Sequence, residues 1–273
     1  MAPPASPRGR PRETPRRVPA GLDEHAGDRH FATTLARGLE LLRCFTPADP
    51  VLGNRELSRR LGLPPATVSR LTYTLASMGY LAQDAPHGKY RLGSAVLSLG
   101  YPLLELFDVR RRARPLMLEL SRATGGSVSI GIRDRFSVVY IEVIRSDPRR
   151  VYPLDVGTTQ SLAGTAIGRA LLMAMSPAER EALLNQLRLK APDEWARHGV
   201  ELVRNVDGYA RHGCCVSVGE LYPDVQAVAV PLGRIDRGEA AALNCSFQGR
   251  ALDRRGLVEK VGPRLQEMAR KLM

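Results

Sequence analysis

Thr67, Ser69, Arg70 and Tyr73 recur at helical spacing just after Pro64-Pro65, and their side chains offer hydrogen bonds and charge rather than bond-making chemistry. Small, hydroxyl and cationic groups on one helix face suit base edges and phosphates in a DNA major groove. Ala66 shares that face, and Thr72 is counted with its hydroxyls. The opposite face carries Val68, Leu71, Leu75 and Met78, a stripe that needs a partner to bury it. That partner is a short preceding helix in which Leu57 and Leu61 share one face. Asn54 is placed to cap it, Gly62 to end it in the left-handed conformation, and the two prolines to open the next helix. The pattern is a helix-turn-helix.

The elements around it agree. Tyr80-Leu81 starts a strand, residues 84–88 are turn chemistry, and Lys89-Tyr90-Arg91-Leu92-Gly93 returns as a second strand. A basic hairpin directly after the second helix makes a winged helix, with Lys89 and Arg91 set against phosphates or the minor groove. An earlier helix over Thr34–Phe45 is expected to be capped by Thr34 and to bury Leu35, Leu39, Leu42 and Phe45. The chain has 273 residues, a formal net charge of +12 and 44% hydrophobic residues, values of a basic globular protein with about two domains. No apolar run is long enough for a membrane span and no signal peptide is visible, so a cytoplasmic protein with reduced thiols is expected. Residues 1–30 are rich in arginine and proline and read as a disordered basic tail.

After the wing, Ser94 opens a helix whose many leucines, among them Leu97, Leu99, Leu103 and Leu104, exceed what one flank can bury. Pairing with a second copy would account for them. Arg110, Arg111, Arg112 and Arg114 follow as a cluster. From about residue 115 helices and strands alternate: a helix to Ala123, strands at 127–132, 137–144 and 151–154, helices at 162–174, 178–187 and 191–206, strands at 214–218, 225–231 and 240–247, and a last helix capped by Asp253 and interrupted at Gly262-Pro263. A mixed sheet flanked by helices is the expectation. Cys214, Cys215, Cys245 and His212 do not have metal-site spacing, because neighbours on a strand point oppositely. His198 and His212 stand in polar surroundings, and catalytic motifs are absent from the sequence, so neither an enzyme nor a cofactor is expected.

Together these stretches resemble the isocitrate lyase regulator (IclR) family of bacterial transcription factors. The resemblance is carried by residues 34–39, by Leu61-Gly62-Leu63-Pro64 with residues 67–71, by Tyr90–Gly93, by Gly164–Leu172, by Gly219-Glu220 before Pro223, and by Val225–Pro231. It implies an α+β chain: an N-terminal winged helix-turn-helix (31–93), a linker helix (94–112) and a C-terminal GAF-like mixed α/β effector domain (113–273). It further implies homodimers or homotetramers, binding to double-stranded promoter DNA, no membrane partner, and a small-molecule effector, an organic or aromatic acid. The effector residues would be Thr165 and Ala166 at a helix start, Cys215, Ser217 and Glu220, Ala227, and Asn244 and Ser246, which alternate on one strand. The Thr165-Ala166 turn would offer free backbone N–H groups to an anion. An architectural DNA-binding protein whose second domain only oligomerises is the other reading.

Overall fold

The computed structural model describes residues 28–84, 88–147, 154–249 and 252–273. Most of the expected tail, the 85–87 part of the wing turn and the 151–153 part of the expected strand lie outside these residues. The chain divides between Tyr101 and Pro102 into two compact units.

The first unit holds α1 (Thr33–Arg43), α2 (Asn54–Leu61), α3 (Pro65–Ser77) and a hairpin of β1 (Leu81–Asp84) and β2 (Lys89–Leu92). Gly62 takes the left-handed conformation, φ 63°, at the end of α2, and Pro65 is the first residue of α3. Leu57 and Leu61 pack with Val68, Leu71, Leu41, Phe45, Leu52 and Leu81 into one small core. β1 and β2 are antiparallel, and Leu52 adds a bridge to Tyr90 with backbone bonds of 2.8 and 2.9 Å.

Three local expectations are corrected. Thr34 does not cap α1; the cap position is Ala32, with no side-chain bond. Leu35 and Leu39 are exposed, because the residues of α1 turned to the core are Gly38, Glu40 and Leu41, with Phe45 following just after the helix. Met78 is exposed because α3 ends at Ser77, so the stripe loses its last member.

α4 (Ser94–Glu105) stops seven residues short of the expected end at 112, and α5 (Asp108–Thr124) restarts the chain in a new helix. No residue of α4 is buried, and Leu97 is 76% exposed.

The second unit is built on a six-stranded sheet in the order β5-β4-β3-β8-β7-β6. Its strands are β3 (Ser127–Asp134), β4 (Ser137–Ile144), β5 (Thr159–Ser161), β6 (Cys215–Val218), β7 (Val225–Ile235) and β8 (Glu239–Gln248). Every pairing among the described residues is antiparallel, whereas the sequence reading expects a mixed sheet; β3–β4 and β7–β8 are adjacent in sequence and pair as neighbours. One face packs on α5 and on the C-terminal helix, through Val109, Met117, Val128, Val228, Cys245, Leu265 and Met268. That last helix runs as α9 (Arg254–Gly256), a π-helical turn (Leu257–Val261) and α10 (Gly262–Leu272), with Asp253 capping it as expected. The other face packs on α6 (Ala166–Met173), α7 (Pro177–Lys190) and α8 (Pro192–His212).

A charge network ties α2 to the loop before it. Glu56 accepts from Arg59 at 2.7 Å and Arg60 at 2.6 Å, and Arg60 reaches on to Asp49 at 3.0 Å and to the Cys44 carbonyl at 3.2 Å. The Arg59 and Arg60 hydrogen bonds hold the Glu56 carboxyl down at about 2, from an ordinary 4.5. A depressed carboxyl stabilises the fold above its unfolded value, and that contribution fades as pH falls from about 4.5 towards 2. Solvent screening limits a network of this exposure to about 1 kcal/mol. Glu56→Gln is therefore expected to flatten the acid limb of a melting-temperature-versus-pH curve for the N-terminal unit; an unaltered limb refutes the assignment.

Candidate functional site

Two sites emerge, one in each unit. On α3, Ala66, Ser69, Arg70 and Tyr73 lie on one exposed face, with Tyr73 at 74% exposure, and Thr67 is half-buried at its edge. Thr72 is misplaced by the sequence reading. It is wholly buried, its hydroxyl donating to the Val68 and Ser69 carbonyls at 3.1 Å each, because position 72 falls on the core side of the helix beside Leu71. Asn54 does not cap α2 either; it is that helix's first residue, and its amide reaches across the turn to Ser69 Oγ at 3.2 Å.

On the hairpin, Lys89 and Arg91 are exposed. Arg70, Lys89 and Arg91 form no ion pair among the described residues. The arginine cluster of α5 is the contrast. Arg110 bonds the Leu104 carbonyl and, with Arg114, the buried Glu142 of β4. Arg111 and Arg112 pair with Asp108, and Arg112 also caps α10 through the Leu272 carbonyl at 2.8 Å. These cations hold the second unit together.

In the second unit the sheet register brings five of the predicted residues to one face. Cys215, Ala229, Asn244 and Ser129 form one cross-strand row, and Ser217, Ala227, Ser246 and Ser127 the row two residues along. Residues two apart on a strand share a face. That face belongs to the α6 side, where Cys215, Ala227 and Ala229 sit in the core. Ser129, which the sequence reading missed, donates to Asn244 Oδ1. Asn244 Nδ2 and the Ser217 hydroxyl have no hydrogen-bond partner among the described residues. A cavity of about 20 Å³, room for little more than one water, lies beside Ser246 and is lined also by Ser127, Arg145, Ser146 and Gln248.

Thr165 is the N-cap of α6, accepting from the Gly168 N–H at 3.1 Å and donating to the Ser161 carbonyl at 2.7 Å, and Ala166 is buried behind it. Two of the N–H groups at this helix start, those of Gly164 and Gly168, are taken up, while those of Thr165, Ala166 and Ile167 have no hydrogen-bond partner among the described residues. Gly164 N–H donates to Ser161 Oγ at 2.7 Å and Ala163 N–H to Glu194 at 3.3 Å. A Cβ at Gly168 would strike the Leu162 carbonyl, so only glycine lets α6 lie this close to the preceding chain.

Glu220 is also reassigned. It forms a two-pronged ion pair with Arg169, which lies in α6 and is 0% exposed. The same guanidinium donates to the Ala163 and Val216 carbonyls, each at 2.9 Å. Asn205 of α8 takes the Val216 N–H at 2.7 Å. Both outward backbone groups of Val216, on the edge strand β6, are thus satisfied by side chains. The sequence signal for this was a single arginine inside the otherwise apolar run of α6. His198 is buried among charged groups, and burial pushes its pKa below the usual imidazole range, with Glu194 pulling it up and Arg169 pushing it down. Burial likewise pushes the Cys214 thiol up to about 11 and Cys215 to about 12, so both are protonated at neutral pH and poorly nucleophilic.

Comparison with known proteins matches both units. The IclR helix-turn-helix domain matches residues 34–85, and the bacterial transcriptional regulator IclR C-terminal domain matches residues 102–273. The HTH-type transcriptional regulator TsaQ1/TsaQ2 of Comamonas testosteroni is 40% identical over 205 residues, 73% of each chain. The crystal structure of an IclR family transcriptional regulator from Brucella abortus has a TM-score of 0.79 at 41% identity, covering 90% of this chain and 92% of that one. An IclR homologue from Microbacterium hydrocarbonoxydans, complexed with 4-hydroxybenzoate, shares the fold at a TM-score of 0.63 and 22% identity, over 88% of this chain and 97% of that one.

Removing one partner of a buried ion pair leaves an uncompensated charge and costs about 3–5 kcal/mol. Glu220→Gln is expected to destabilise the second unit by about that much, whereas adding Arg169→Met, which removes the second charge, recovers only part of the loss because the Ala163 and Val216 carbonyls then lose their donor. Equal melting temperatures for Glu220→Gln and wild type would show that the pair does not carry this load.

Proposed function

This chain belongs to the IclR family of bacterial transcriptional regulators, and from that premise we propose that it binds promoter DNA through α3 and the β1–β2 wing, and that a small organic or aromatic acid on the polar sheet face changes that binding. Its matched relatives are named as regulators, not as enzymes. The DNA reading is carried by one observation: Arg70, Lys89 and Arg91 are exposed and unpaired, while the cluster Arg110, Arg111, Arg112 and Arg114 at the start of α5 is engaged within the protein. Cations left open on the helix-turn-helix and its wing are available to phosphates and guanine edges. The regulator would act in the cytoplasm, where promoter DNA is.

The effector reading is supported by Asn244 Nδ2 and the Ser217 hydroxyl, adjacent rows on one buried face, which suit a carboxylate's oxygens. Thr165, Ala166, Cys215, Ala227 and Ser246 frame that face; Glu220 contributes by fixing Arg169. The acid must prefer one subunit arrangement, since equal affinity for two arrangements shifts nothing. The exposed leucines of α4, with Leu35 and Leu39 of α1, fit a second copy of the chain, giving a two-fold dimer on an inverted-repeat operator.

Two experiments test this. In operator titrations with 4-hydroxybenzoate as the probe acid, wild type is expected to change affinity about tenfold, a coupling of about 1.4 kcal/mol. Arg70→Ala should weaken operator binding by about 1–3 kcal/mol, and Asn244→Ala with Ser217→Ala should abolish the response to the acid but not the binding. Intact regulation in the double variant would move the effector elsewhere, and no regulation by any small acid in wild type would favour an architectural role. Light scattering at micromolar concentration is expected to give a dimer or tetramer, and Leu97→Arg to shift it towards monomer; a wild-type monomer refutes the interface.

A further inference from the structure

We propose that Asn54 sets the polarity of the Ser69 hydroxyl, and so determines which base that hydroxyl reads in the major groove. The inference rests on the reading of α3 as the DNA-facing helix. Asn54 is the first residue of α2, and Ser69 stands on the exposed face of α3 with Ala66, Arg70 and Tyr73. Asn54 Nδ2 donates to Ser69 Oγ at 3.2 Å. A serine hydroxyl holds one proton and two lone pairs, and rotates to suit its partners. Here one lone pair is engaged by the amide, so the proton points elsewhere.

Two neighbouring hydroxyls of α3 turn their protons inward. Thr72 donates to the Val68 and Ser69 carbonyls at 3.1 Å, and Thr74 to the Arg70 carbonyl at 3.0 Å. Ser69 donates to no group among the described residues. Its proton is therefore free for a ligand, on the face where a base edge would lie.

The amide has a reason to keep this orientation. Asn54 Oδ1 is buried without a hydrogen-bond partner. The flipped amide would instead bury two unpaired donors, at the helix end where the dipole already favours an oxygen. The donor therefore faces Ser69, and Ser69 faces the groove as a donor. A hydroxyl donor selects acceptors, which guanine presents at N7 and O6, adenine at N7 and thymine at O4; cytosine presents only the N4 donor there.

Asn54→Asp reverses the arrangement with almost no change of shape. The carboxylate can only accept, so it takes the Ser69 proton and leaves lone pairs towards the groove. An acidic residue in the first turn is also compatible with the helix dipole. The experiment is selection from a random double-stranded DNA library by the full-length wild type, Asn54→Asp, Ser69→Ala and the double variant, with circular dichroism melts confirming that each is folded. Wild type is expected to disfavour cytosine at one operator position. Asn54→Asp should move that position towards cytosine, the ratio changing about fivefold or more, the worth of one net hydrogen bond. Ser69→Ala should flatten the position in both backgrounds. A uniform loss of affinity, as extra negative charge near phosphates produces, with the base preference unchanged, overturns the inference. So does a Ser69→Ala profile identical to wild type. A wild type that selects no sequence overturns the DNA-facing reading of α3 and the inference with it.

Discussion

A guanidinium with no exposure to water is the constraint around which the second unit is arranged. Arg169 cannot give up its proton, and its planar fork of donors must each find an acceptor once buried. Glu220 supplies the countercharge, Ala163 a carbonyl from the turn before α6, and Val216 a carbonyl from the edge of the sheet. These partners come from different stretches of chain, so the ion pair fixes the start of α6, the outer edge of β6 and the loop after it in one geometry. An unpaired sheet edge is a template for unwanted pairing. Here Arg169 and Asn205 occupy both outward groups of Val216. Lysine could not replace this arginine, because a single ammonium cannot span a carboxylate and two carbonyls in a plane.

That arrangement also explains a polar layer in a place where apolar packing would be simpler. The α5 side of the sheet is filled by Val, Ile, Leu and Met side chains. The α6 side carries Ser127, Ser129, Ser217, Asn244 and Ser246 among small alanines and a cysteine. Buried hydroxyl and amide groups contribute little net stability even when paired, and cost free energy when unpaired. Small side chains leave volume, and polar ones leave unspent hydrogen bonds; both suit a face that takes up a ligand.

The net charge of +12 says less about partners than its distribution does. Arg110, Arg112 and Arg114 look from composition like a nucleic-acid patch, yet they join α5 to β4 and α10. Arg70, Lys89 and Arg91 are fewer, scattered in sequence and open. Long-range steering by the whole basic surface would still favour encounter with a polyanion.

Much of this was legible in the chain. Periodicity, Gly62 and Pro65 determine the helix-turn-helix, because those are local rules of backbone conformation and of which face turns inward. Strand alternation likewise placed Asn244 and Ser246 on one face, and the sheet register joins Cys215 and Ser217 to it. What the sequence could not determine are the choices that depend on distant partners. Leu35 and Leu39 point away from the core because α3 meets α1 at Gly38 and Leu41; Thr72 lies on the buried side of α3 by one helical step. β5 is too short to announce itself and exists only because β4 offers it an edge. Glu220 has the residue type of a ligand contact, and became a structural counterion because Arg169, 51 residues away, is buried opposite it. Local geometry follows from neighbours in sequence, whereas the partner of a buried charge is decided only when the chain closes around it.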